Sequence, residues 1–153
     1  MAKIRMGILG GGGDSLIGPV HRIASSMFDR FEIVGGVFNP KWEDNIRFAK
    51  KIGLNEERIY KDLEELLSKE RSLPEDKRIE VVSVLTPNFL HFPMGKRLLE
   101  EGFHVICEKP LTTSYAEALE LKKLREDKQL IFAVTYTYTG YPMVRQMRRM
   151  IQD

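Results

Sequence analysis

A chain of 153 residues, 42% hydrophobic and 30% charged with a formal net charge of +2, is long enough for one domain with a real core and too short for two ordinary ones. Its near balance of Lys+Arg against Asp+Glu argues against a dedicated nucleic-acid binder, and no run approaches the roughly 18 apolar residues of a membrane span. The single cysteine, Cys107, excludes an internal disulfide framework and the opening "MAKIRMGILG" lacks the long apolar region of a signal peptide, so residence in a reducing cytoplasm is expected.

Strand and helix patterns alternate along the chain. "KIRMGIL" (3–9) is a short apolar run ending in glycines and reads as a buried strand. Val20, Ile23, Ala24, Met27 and Phe28 then recur at helical spacing, with Pro19 suited to a first helical turn. "FEIVGGVF" (31–38) is a second strand ended by Asn39-Pro40, and a helix from Trp42 to Lys51 carries Ile46 and Ala49 towards a core. "RIY" (58–60) predicts a short third strand, and Asp62 with Glu65 opens the next helix. After the polar stretch "SLPEDKR", "IEVVSVLT" (79–86) is the clearest strand. "FPMGKRLLEEG" reads as a short helix ended by Gly102. "FHVICEKP" is a strand stopped by Pro110, Ser114 with Glu117 opens the helix "SYAEALELKKLRE", and "LIFAVTYTY" is a sixth strand. This order predicts an α/β fold, a doubly wound parallel sheet of the Rossmann type. The last segment, "YPMVRQMRRMIQD", reads as a helix without a stop signal, as expected of a fragment of a longer protein.

The first strand-to-helix turn holds Gly10, Gly11, Gly12 and Gly13, and Gly18 precedes the helix. Such a turn receives ligand phosphates because glycine backbone comes close and the helix N-terminus supplies free N–H groups. In the fingerprint G-x-G-x-x-G, counted from Gly10 and Gly12, the third glycine falls on Ser15, so Gly18 comes three residues late. A glycine turn with no ligand is the alternative. At the end of the second strand, where an acidic residue would hold the ribose of NAD, stands Asn39, 21 residues after Gly18. Asn39 can hydrogen-bond a hydroxyl without repelling a 2′-phosphate, and Lys41 and Arg47 nearby could neutralise one. NAD or NADP is therefore the expected cofactor; a plain turn residue is the other reading of Asn39.

Two later stretches place polar groups just past strand ends. "VLTPNFLH" (84–91) brings Thr86, Pro87, Asn88 and His91 to the carboxyl end of the fourth strand, and "HVICEKPLT" (104–112) brings Glu108, Lys109 and Pro110 to that of the fifth. Ligand crevices of open parallel sheets lie there. With the glycine loop, Gly18 and His21 in register, the chain resembles the Gfo/Idh/MocA oxidoreductases, the family of glucose–fructose oxidoreductase and inositol dehydrogenase.

That resemblance implies a hydride transfer between nicotinamide and a small-molecule carbinol of sugar or cyclitol type. It implies that Lys109 is the catalytic residue, buried beside the nicotinamide ribose and the substrate hydroxyl, where an ammonium orients the oxygen and stabilises charge on it. Glu108 would position Lys109 or the cofactor, Asn88 would reach the ribose, Pro87 would stiffen the turn beside Thr86, and the Lys109–Pro110 bond is expected to be cis. His91 would contact the cofactor or cap a helix; His21 would meet the loop or only pack beneath it. Tyr138 and Arg145, among Tyr136 and Tyr141, would face the substrate, although alternating Thr and Tyr is also ordinary strand composition. His104 is given no chemical role and Cys107 is read as a small core residue. No metal site is expected, since no second cysteine or spaced histidine pair exists. In register with the family, the glycine loop carries about three extra residues within 13–17: Ser15 would donate to the pyrophosphate and Asp14 would point away.

The family's general acid/base lies in a C-terminal substrate domain absent from these 153 residues, through which its members assemble as homo-oligomers. The chain alone is thus expected to bind the dinucleotide without effective turnover, and to self-associate through an exposed apolar face. An inactive dinucleotide sensor or scaffold is one alternative. An S-adenosylmethionine-dependent methyltransferase is another, weakened because Asn39 replaces the acidic residue such a site uses.

Overall fold

The computed structural model describes residues 2–152. Five strands, β1 (Ile4–Gly10), β2 (Phe31–Val37), β3 (Val81–Leu85), β4 (His104–Cys107) and β5 (Phe132–Val134), form one parallel sheet in the order β2-β1-β3-β4-β5. The helices α1 (Ile17–Ser26), α2 (Trp42–Lys51), α3 (Leu63–Ser72), α4 (His91–Glu100) and α5 (Tyr115–Asp127) flank it, and α6 (Pro142–Gln152) follows β5 with none of its described residues buried. Among the described residues no helix is long and apolar enough to cross a membrane.

The period-two alternation of the central strands divides the core. Leu9, Val82, Val84, Val105 and Cys107 face one side, where Leu66 and Leu67 of α3, Leu98 and Leu99 of α4 and Leu121 of α5 meet them. Met6, Ile8, Val81 and Leu85 face the other, against Ala49 of α2 and Phe38. This is the doubly wound arrangement that the alternating pattern implies. Ser114 and Glu117 form the expected reciprocal cap on α5. On α3, Asp62 accepts from the Glu65 N–H at 2.8 Å, but the Glu65 carboxylate reaches the Lys61 N–H, one residue earlier than a capping box requires.

Three local expectations are corrected. The 58–60 segment is no strand: a 3-10 turn covers Glu56–Arg58, and one bridge joins Ile59 to Gly36. Side chains hold it instead of a ladder. The fully buried Glu70 accepts from Arg58 Nε and Nη2, from the Tyr60 hydroxyl and from the Ile79 N–H at 2.7 Å. Burial and the Glu70 carboxylate push the Tyr60 phenol above its ordinary range. Buried Asn45 on α2 completes the support, accepting from Phe38 N–H at 2.7 Å and donating to Tyr60 O at 2.8 Å.

The second correction concerns α1. Val20, Ile23, Met27 and Phe28 face solvent, 52–78% exposed, while Gly18 and Ser25 form its buried side. Small residues let the helix approach so closely that a Cβ on Gly18 would lie 1.8 Å from Gly11 O. The larger residues are thereby left outward. The third is the last strand, which stops at Val134: Tyr136 N–H bonds to Val134 O and Thr137 N–H to Thr135 O, turning the chain into a 3-10 helix at Thr137–Gly140. Beyond it, Met143, Met147, Met150 and Ile151 of α6 are exposed.

Candidate functional site

The glycine loop follows β1, Asn39 follows β2, Thr86 follows β3, Glu108 follows β4 and Thr135 follows β5, so all five lie at the carboxyl edge of the sheet. At the glycine end, Gly10 has φ of +84°, and a Cβ there would stand 2.7 Å from Leu85 O, beside Thr86. The extra loop residues form a turn in which Ser15 N–H bonds to Gly12 O at 3.2 Å. Ser15 Oγ accepts from Gly18 N–H at 3.1 Å, which leaves its hydroxyl proton free to donate. No acidic side chain occupies the first turn of α1, so the positive end of its dipole is uncompensated.

Beside this loop opens a cavity of about 550 Å³ lined by Gly12, Gly13, Asp14, Asn39, Arg47 and Lys51, among others. Asn39 Oδ1 accepts from Lys41 N–H at 2.9 Å, the Asx turn of the simpler reading, while its amide stands on the cavity wall. Arg47 is paired with Asp44. Asp14 also lines this wall. Behind the loop, Arg22 donates from Nη1 to Gly11 O at 3.0 Å and lies over the Phe48 ring at 4.9 Å; desolvation lowers its pKa.

The other end is built from buried side chains. Glu108 is 8% exposed; its Oε1 accepts from His21 Nε2 at 2.9 Å and from Thr135 Oγ1 at 2.5 Å, and its Oε2 from Lys109 N–H at 3.2 Å. Burial pushes the carboxyl up, but these donors offset it and hold Glu108 below its ordinary value. His21 Nδ1 lies 3.0 Å from Ser83 Oγ in the middle of β3. Lys109 itself is exposed, not buried, at the end of this network, and the Lys109–Pro110 bond is cis as expected.

His91 corrects the expectation of a cofactor contact. Its ring is fully buried, with Nδ1 2.7 Å from Pro110 O and Nε2 2.9 Å from Thr86 O. Both nitrogens face carbonyl oxygens, one in each loop. His91 therefore ties the two loops together from beneath. Thr86 Oγ1 is buried with no hydrogen-bond partner, while Pro87 and Asn88 are exposed beside it. Tyr138 and Arg145 are exposed on the segment after β5, and Tyr138 packs edge-on against Tyr141. His104 lies at the amino end of β4, and Cys107 is buried with its thiol pushed up to about 12 by desolvation.

Ser83 and Thr135 escape a reading by motif. The signal for Ser83 is a lone hydroxyl inside the buried run "VVSVL"; Thr135 is masked by the alternation "TYTYT".

Comparison with known proteins accords with this geometry. The family model for an oxidoreductase family with an NAD-binding Rossmann fold matches residues 4–136. The oxidoreductase YfiI of Bacillus subtilis (strain 168) is 39% identical over 151 residues, 98% of this chain and 38% of its own length. An inositol dehydrogenase homologue from Azotobacter vinelandii, solved with NADH and myo-inositol, superposes with a TM-score of 0.94 at 36% identity, covering 99% of this chain and 39% of that one. The levoglucosan dehydrogenase of Pseudarthrobacter phenanthrenivorans is 34% identical over 83 residues, 54% of this chain and 21% of its own length. The chain thus spans about two fifths of the length of YfiI and of the inositol dehydrogenase homologue.

Proposed function

The chain belongs to the Gfo/Idh/MocA oxidoreductase family as its NAD-binding Rossmann domain, and from that premise we propose that it is the cofactor-holding part of a dehydrogenase acting on a sugar, cyclitol or related carbinol. The observation that carries this reading is the meeting, at one sheet edge, of the glycine loop, the unpartnered Thr86 hydroxyl and the exposed Lys109. A buried hydroxyl without a partner costs about 1–3 kcal/mol, and a dinucleotide lying from the glycine loop to Lys109 would give it one.

The residues present fit such a cofactor. Gly10, Gly12, Gly13 and Gly18 let backbone approach a pyrophosphate, and Ser15 donates to it. Asn39 meets the adenosine ribose from the cavity wall, while Thr86, Pro87 and Asn88 shape the nicotinamide ribose end. When bound, the nicotinamide supplies the hydride acceptor or donor. Lys109 holds the substrate oxygen by its ammonium and stabilises charge developing there. Glu108, whose oxygens are engaged on the protein side, orients Lys109 rather than the substrate. Tyr138 and Arg145 are assigned to the substrate side through the family resemblance alone.

General acid/base work falls outside this chain. Of its three histidines, His21 and His91 are held in internal hydrogen bonds and His104 stands at the opposite end of β4. We therefore expect binding without effective turnover by the 153-residue chain. The outward apolar residues of α1 and α6 support its self-association. Titrating NADH, NADPH and S-adenosylmethionine against one sample tests the reading. Saturable binding of a dinucleotide and none of the methyl donor is the expected result. Binding of the methyl donor alone, or of nothing, overturns it, and rapid sugar-dependent reduction of NAD(P) by the chain alone overturns the division of labour.

A further inference from the structure

We propose that His21 is a positioning residue that couples the phosphate-loop helix to the Glu108–Lys109 motif, so that the affinity for the nicotinamide half of a dinucleotide depends on a side chain that does not itself meet it. The inference rests on the dinucleotide reading above. It starts from placement. Gly18 packs α1 against Gly11 of the glycine loop, and three residues on the same helix face carries His21, which crosses to Glu108 at 2.9 Å. Both side chains are nearly buried, 12% and 10% exposed. A buried hydrogen bond to a carboxylate is short, strong and poorly exchanged with water.

The tautomer follows from the neighbours. An ionised Glu108 only accepts, so His21 Nε2 carries the proton and donates to it. Nδ1 of the neutral ring is then an acceptor, and Ser83 Oγ at 3.0 Å is the donor it requires. Ser83 is buried in β3, the strand that Thr86 follows. The chain Ser83–His21–Glu108–Lys109 N–H thus joins β3, α1 and the loop after β4, with Thr135 bracing Glu108 from the β5 side. No member of it is exposed except Lys109. The network fixes where the Lys109 backbone stands relative to the helix that holds the loop.

His21→Leu removes the donor at similar bulk, whereas His21→Gln keeps an N–H for Glu108. NADH and ADP-ribose are titrated against both variants and the unaltered chain, and the Lys109 amide signal is followed without ligand. A lost hydrogen bond to a charged group corresponds to roughly ten- to hundredfold in affinity. The Leu variant is expected to bind NADH about tenfold more weakly, with ADP-ribose unchanged within about twofold. The Gln variant should recover most of the difference, and the Lys109 amide should shift in the Leu variant and return in the Gln variant. Equal losses for both ligands, or no loss for either, overturn the proposal, as does an unmoved Lys109 amide. If the Leu variant does not fold, Ser83→Ala is read the same way with a smaller expected change. An unaltered chain that binds NADH no better than ADP-ribose tells against the dinucleotide reading instead, and the amide shifts still decide the role of His21.

Discussion

The two ends of the carboxyl edge are built by different means. At the glycine end, main-chain groups do the shaping: Gly10, Gly11 and Gly13 take positive φ, the cavity is open, and its cations Arg47 and Lys51 are exposed. At the lysine end, buried side chains do it: Glu108, His21, Ser83 and His91 engage one another or backbone carbonyls, while Lys109, Pro110, Pro87 and Asn88 emerge. A backbone-built site tolerates changes around it but none at its contact points. A side-chain-built site transmits changes made at a distance, because each member holds the next.

The sharpest way to break the contrast is at Gly18. An alanine there places Cβ 1.8 Å from Gly11 O, a backbone atom that cannot rotate away. Gly18→Ala is expected to lower stability by about 3–5 kcal/mol, read as a fall in the urea midpoint, and to abolish NADH binding. Alanine at exposed Gly140, where no atom lies within 4 Å of the added Cβ, is the matching control.

At the lysine end, Glu108→Ala leaves the His21, Thr135 and Lys109 donors without their acceptor. A cost of about 2–3 kcal/mol is expected from buried groups left unpaired. Glu108→Gln separates charge from shape. Because the folded state holds this carboxyl below its ordinary value of 4.5, its ionised form contributes stability above about pH 4.5, and that contribution is lost as pH falls through the lower folded value. The Gln variant should flatten that acid limb of the pH–stability curve, and chemical denaturation at a series of pH values measures it.

The sequence makes these ends unequally legible. Helix caps, strand alternation and the glycine turn are local, so β1, β3 and α5 fall where their patterns place them. "EKP" and "TPN" mark strand ends because polar residues interrupt apolar runs. What escapes is long-range. The inward turn of His91 and Glu108 depends on partners 5 to 87 positions away, and the outward face of α1 depends on how closely Gly18 lets the helix approach. The failure of 58–60 as a strand has the same origin in Glu70, twelve residues beyond Arg58.

A smaller effect isolates the unpartnered hydroxyl where the two ends meet. Thr86→Val keeps the shape and removes Oγ1, which has no partner in the chain. Stability of the ligand-free protein should rise by about 1 kcal/mol, while NADH binding weakens severalfold. The thermal midpoint then rises without NADH and stays nearly unchanged with saturating NADH, because a severalfold loss of affinity offsets the gain. A fall in both midpoints would mean that Thr86 is only a packing residue.

The smallest expected change lies at Asn39, and it bears on why the glycine end is so open. A carboxylate at this place would accept from both ribose hydroxyls and repel a 2′-phosphate; the amide does neither as strongly. Asn39→Asp should therefore raise the ratio of NADH to NADPH affinity by about threefold, roughly 0.6 kcal/mol. Arg47 and Lys51 share the cavity wall with it, so the shift should shrink as salt screens the exposed charges. Arg47 is already held by Asp44, which leaves Lys51 as the cation more available to a phosphate. Lys51→Ala should then reduce NADPH binding while sparing NADH, and neither the Asn39 nor the Lys51 substitution should alter the Lys109 amide, because neither side chain belongs to the Ser83–His21–Glu108 hydrogen-bond chain.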